Sequence, residues 1–142
     1  MANRHLSRSI VMQVLYEWDF RGGALTNLEL EETLSRNVLE FAPGVRDLSF
    51  MRKLLLGILS MREKIDNIIE KAAPDWPIGK ISFVDRNILR IGLYELLFED
   101  RGHVPAKVAI NEAIELAKAF ATEESSKFVN GVLGSLVKQR AK

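Results

Sequence analysis

Arg4, His5 and Arg8 open the sequence ahead of its first acidic residue, Glu17, and Tyr16 stands next to that acid. Toward the other end, Lys118 and Phe120 precede the adjacent pair Lys127-Phe128, and no acid follows Glu124. Basic side chains beside aromatic ones suit single-stranded RNA: cations track the phosphates while exposed rings stack on unpaired bases. A plainer reading stands next to this one. Arginines at a helix start oppose the dipole and can be no more than a soluble end. Phe120, taken alone, reads as core.

Covalent and acid–base chemistry find little to work with. There is no cysteine, which removes thiol nucleophiles, disulfides and Cys-containing zinc sites together. The sequence holds no Gly-x-x-x-x-Gly-Lys loop, no Gly-x-Gly-x-x-Gly and no Gly-x-Ser-x-Gly elbow. His5 and His103 are isolated, and Glu112/Glu115 and Glu123/Glu124 fall where solvated helix faces put them. Glu95 lies among Ile88, Ile91, Leu97 and Phe98. A buried carboxylate there needs a partner, which Arg90 or a Lys or Asn of the next helix can supply. That favours a structural pair over a general base. The expectation is a protein without catalysis, cofactor or metal.

Composition sets the frame for these groups. A length of 142 residues suits one domain, and 47% hydrophobic with 27% charged residues is ordinary for a globular chain. Twenty Lys and Arg against 19 Asp and Glu give a net charge of +1, which argues against coating nucleic acid by bulk charge. The distribution is uneven. Glu29, Glu31, Glu32, Glu40 and Asp47 make an acidic middle, while Lys127, Lys138, Arg140 and Lys142 make the far end basic. Chain ends often lie close together, and a basic surface forms here if they do. Lack of cysteine, lack of a signal-peptide pattern and apolar runs far short of the ~20 residues of a membrane span fit a cytoplasmic protein.

Helical periodicity dominates the elements that must position these groups. A first helix is expected over about 4–20, with Leu6, Ile10, Val14 and Trp18 inward and Arg21-Gly22-Gly23 ending it. At ~100° per residue, Arg4 and Arg8 fall at one edge of its polar arc, and His5, Ser9 and Tyr16 along the middle. A second helix is expected over about 28–41 and a long third over about 45–72. Two prolines and a glycine in 73–80 break the chain. Ser82 then caps a helix to about Phe98 that is apolar almost all round, with Asp85 in a weaker version of the capping box. After a loop over 100–105 come helices over about 107–120 and 123–138, the latter capped by Thr122. This predicts an all-α protein of six or seven helices, as two fused small bundles over about 1–72 and 81–142.

The stretch Val84-Asp85-Arg86-Asn87-Ile88-Leu89-Arg90-Ile91-Gly92-Leu93-Tyr94-Glu95-Leu96 resembles a signature of the NusB transcription antitermination family. So do the block from Val104 to Lys118, the block from Ser126 to Leu133, Trp76, and Gln13-Val14-Leu15-Tyr16-Glu17-Trp18. The resemblance covers nearly the whole chain in order. It implies a non-enzymatic factor that binds boxA RNA of ribosomal RNA leaders as a heterodimer with NusE, a small-subunit ribosomal protein. The pair would act within an RNA polymerase antitermination complex. Carried over by position, Arg4, His5, Arg8, Tyr16, Lys118, Phe120, Glu124, Lys127, Phe128 and Asn130 face RNA. Asp85 falls near the junction of NusE and RNA, with Arg86 and Arg90 as further partner contacts.

The chain departs from the family pattern in three places. Only Arg4 and Arg8 stand where an arginine cluster is usual, Ala121 replaces a customary glycine, and Gly134 a customary acid. The thin cluster implies a modest, salt-sensitive complex that tightens when NusE adds contacts. Two other readings keep their place. One is a NusB-like domain detached from an RNA methyltransferase, disfavoured because no cofactor fold follows. The other is a helical dimerisation protein, in which a homodimer covers Arg8 and Phe128.

Overall fold

The computed structural model describes residues 3–99 and 104–140, the last two by backbone alone. His103, Lys142, the Arg140 side chain and most of the loop expected over 100–105 lie outside the described residues. Among the described residues there are seven α-helices and no strand, the all-α class expected. They are α1 (Arg4–Phe20), α2 (Asn27–Phe41), α3 (Ser49–Ser60), α4 (Arg62–Ala72), α5 (Phe83–Leu93), α6 (Ala106–Phe120) and α7 (Glu123–Arg140). The chain forms two compact units, Met1–Gly57 and Ile58–Lys142. The division therefore falls inside α3 rather than in the proline-rich segment 73–80.

In the first unit, Asn3 starts α1 by accepting hydrogen bonds at Oδ1 from the backbone N–H of His5 (2.8 Å) and Leu6 (3.3 Å). Gly22 and Gly23 end it at φ of 83° and 73°, a backbone region closed to most side chains. Thr26 and Glu29 form a reciprocal capping box at the start of α2. Helix α1 packs on α2. Ile10, Val14, Leu15 and Trp18 of α1 and Leu30, Leu34 and Val38 of α2 are buried, as the periodicity predicts.

The third helix differs from expectation. Instead of one helix to Ala72, the chain breaks at Met61, whose ψ of 11° leaves the helical range. Its N–H donates to the Ile58 carbonyl three residues back at 3.2 Å. Ile58 and Ile65 are both fully buried, and seven residues keep them in phase on a helix. The apolar pattern thus runs through a break it cannot register.

Helix α5 is the centre of the second unit, packed against α4, α6 and α7. Every residue from Asn87 to Leu93 is buried, which explains a helix apolar almost all round. Its C-terminal end widens into a π-helical turn at Tyr94–Phe98. Glu95, in that turn, is buried as expected. Ser82 accepts at Oγ from the Asp85 N–H (3.1 Å), and Thr122 at Oγ1 from the Ser125 N–H (3.0 Å), so both expected caps form.

Candidate nucleic-acid interface

The proline-rich segment that leads into α5 is pinned from two sides. Glu70 of α4 accepts from the Ile78 N–H at 2.9 Å, and Arg86 Nη1 donates to the carbonyls of Ile78 (3.2 Å) and Ile81 (3.4 Å). Arg86 also lies over the Phe83 ring at 4.3 Å. The partner-contact expectation for Arg86 thus meets a guanidinium engaged in shaping its own unit.

This pinned segment carries Trp76, which is 51% exposed. Its ring meets that of Phe128 on α7 edge to face at 6.2 Å. The pair forms a partition between two hollows. One, of about 370 Å³, is lined by Trp76, Lys80, Ser82, Asp85, Glu124 and Phe128 among others. The second, of about 320 Å³, also touches both rings and takes Lys127 and Asp75 into its wall.

Asp85, Glu124 and Phe128 are thereby brought to one hollow and Lys127 to its neighbour, although the residue pattern assigns Asp85 to a protein partner and the rest to RNA. Asp85 does not complete a capping box. Its Oδ1 is buried and has no hydrogen-bond partner among the described residues. An acid so placed in a cavity wall is available to a ligand's donor. Trp76 is the residue that sequence reasoning left without a role. An indole in a segment with two prolines, where no helix can bury it, is the signal that points to it.

Arg90 corrects the reading. It is 2% exposed, and its Nε and Nη2 donate to the two Asp66 carboxylate oxygens at 2.8 and 3.0 Å, with Nη1 to Asn87 Oδ1 at 2.9 Å. A guanidinium sealed into a fork with its own unit's carboxylate is no partner contact. Phe120 corrects in the other direction: it is 37% exposed at the end of α6, not core. Lys118 is exposed and only loosely paired with Glu115 (3.8 Å), and Asn130 is exposed on α7.

In the first unit, Arg4 and His5 are exposed. Tyr16 sits on the wet side of α1 and stacks with Phe20 at 6.3 Å between centroids. Arg8 is only 4% exposed, so its expected place at the edge of the polar arc becomes an interior one. Both arginines approach Phe50 at the start of α3, Arg4 at 4.6 Å and Arg8 at 5.5 Å from the ring centroid.

The fold and the cavity define an all-α protein with a pinned loop and an aromatic-walled surface hollow. The model of the NusB family matches residues 5–138, and the chain belongs to that family. It is 40% identical over 136 residues to the transcription antitermination protein NusB of Chloroflexus aggregans, spanning 96% of this chain and 87% of that protein. It is 42% identical over 136 residues to the NusB of Geobacter sulfurreducens, spanning 96% and 94%. Both relatives are transcription antitermination proteins by name. Among solved structures, T. maritima NusB superposes with a TM-score of 0.82 at 34% identity, covering 96% of this chain and 92% of that one. A crystal structure of antitermination factors NusB and NusE in complex with dsRNA gives a TM-score of 0.80 at 32% identity, covering 96% of both chains.

Proposed function

We propose that this chain binds single-stranded boxA-type RNA of ribosomal RNA leaders together with NusE, and so promotes read-through by RNA polymerase. The observation that carries the RNA reading is the Trp76–Phe128 pair between two hollows with Lys80 and Lys127 in their walls. Unstacked bases have faces to lay on such rings, whereas bases inside a duplex do not. Asp85 and Glu124 supply carboxylate acceptors for base amino groups, which can select among bases. Arg4 adds an exposed cation in the first unit, His5 an exposed imidazole, and Tyr16 an exposed ring.

A partner role for NusE rests on the NusB–NusE complex among the structural relatives. That complex holds dsRNA, which motivates a second reading in which this chain grips duplex RNA by its backbone. Titration with a boxA-like single strand and with the duplex of the same sequence separates them. Tighter binding of the single strand, weakened by Phe128→Ala, supports the first; preference for the duplex, unaffected by Phe128→Ala, supports the second.

A further inference from the structure

We infer that Phe50 is a positioning residue for RNA binding: its ring holds the Arg4 guanidinium in place. The inference rests on the reading of Arg4 as an RNA contact. Arg4 and Arg8 lie one turn apart on α1, and their guanidiniums both converge on the Phe50 ring, at 4.6 and 5.5 Å from its centroid. The negative face of an aromatic ring attracts a cation, and Arg is the cation that uses it most often.

The two arginines do different things there. Arg8 is 4% exposed and has no free face to offer a phosphate. Arg4 is exposed, so its N–H donors stay open to solvent while the ring restrains a side chain that would otherwise sample many rotamers. Ordering a long side chain is a cost of binding, and a side chain ordered beforehand avoids it. The N-terminal basic site thus works with one contacting arginine and one ring that holds it, with Arg8 buried near the same ring. This is how a chain with only Arg4 and Arg8 at its start presents a defined cationic site.

A double-mutant cycle on the full chain tests this, with fluorescence titration of a boxA-like single strand at fixed salt and thermal melting of each variant. Phe50→Leu is expected to weaken RNA binding about two- to fivefold, the size of an exposed cation–π contact. Phe50→Tyr, which keeps the ring, is expected to bind like the parent. In an Arg4→Ala background, Phe50→Leu is expected to have no further effect, which a general structural loss would not reproduce. Should Phe50→Leu melt early, Phe50→Met is measured in its place. Positioning is overturned if Arg4→Ala weakens binding while Phe50→Leu does not, or if the two losses multiply independently. No effect of Arg4→Ala itself would instead overturn the RNA reading of this site.

Discussion

Arg8 and Trp76 mark the two ends of what single residues disclose. A wheel places Arg8 at the margin of a polar arc, and a margin is decided by whatever packs against it. Here that is Phe50, 42 positions away in sequence and invisible to any local pattern. Trp76, by contrast, is legible once the prolines around it are read as forbidding a helix. Phe128→Ala removes one side of the Trp76 partition and is expected to weaken single-stranded RNA binding about ten- to a hundredfold, with little change in melting temperature. Arg90 leads to the opposite expectation. Arg90→Ala leaves Asp66 with only Arg62, at 3.7 Å, for a partner among the described residues, so urea unfolding should show a loss of about 3 kcal/mol. Were Arg90 a contact for NusE, stability would hold and heterodimer formation would fall.

Glu17 carries a pH signature at the same scale. Burial pushes its carboxyl up, but hydrogen bonds from Asn37 and Arg36 and the charges of Arg36 and Arg21 together outweigh burial and leave it below its ordinary value. A depressed carboxylate stabilises the fold above its ordinary unfolded pKa, and the contribution disappears as pH falls through the lower folded value. Glu17→Gln is therefore expected to lower the melting temperature at pH 7 and to have almost no effect near pH 2. An equal loss at both pH values would mean that packing, not charge, is what Glu17 contributes.

At the scale of elements, the starts of α5 and α7 and the end of α1 were legible because each has a chemical cause: Ser82 and Thr122 cap by side-chain acceptors, and Gly22 and Gly23 stop α1 by their backbone freedom. Breaks without a chemical marker were not. Nothing about Met61 distinguishes it from a helix-interior residue, and the π-helical turn at Tyr94–Phe98 shifts registry without a proline or glycine. Gly92 shows how packing overrides propensity. A Cβ there would lie 2.7 Å from Leu133 Cδ1 and 3.2 Å from Ala113 Cβ. Both neighbours are buried, Leu133 fully, so neither has room to retreat. Gly92→Ala gains about 1 kcal/mol of helix propensity, yet overpacking between α5, α6 and α7 costs about 1–3 kcal/mol. Net destabilisation is expected in urea titration; a stabilised variant would show that the α5–α6–α7 packing yields.

At the scale of the whole molecule, a net charge of +1 and the small number of exposed cations among the proposed RNA contacts set the kind of RNA complex expected. Each phosphate held on a single strand contributes a slope of about −0.7 in log affinity against log salt. If Arg4, Lys118 and Lys127 hold one each, the slope is about −2, far shallower than for a protein that coats nucleic acid. Aromatic contacts are less sensitive to salt, so they must supply the rest. The acidic middle of the sequence, from Glu29 to Asp47, limits nonspecific attraction and leaves room for a partner to raise affinity.

Joint recognition of single-stranded boxA-type RNA by this chain and NusE is the proposed function. Its most direct test is a titration of a boxA-like strand at two salt concentrations, with and without purified NusE. Joint recognition predicts modest binding alone with a shallow salt slope, marked tightening with NusE, and loss of both on Phe128→Ala. Absence of binding under every condition, or binding that ignores NusE and Phe128 alike, would contradict it.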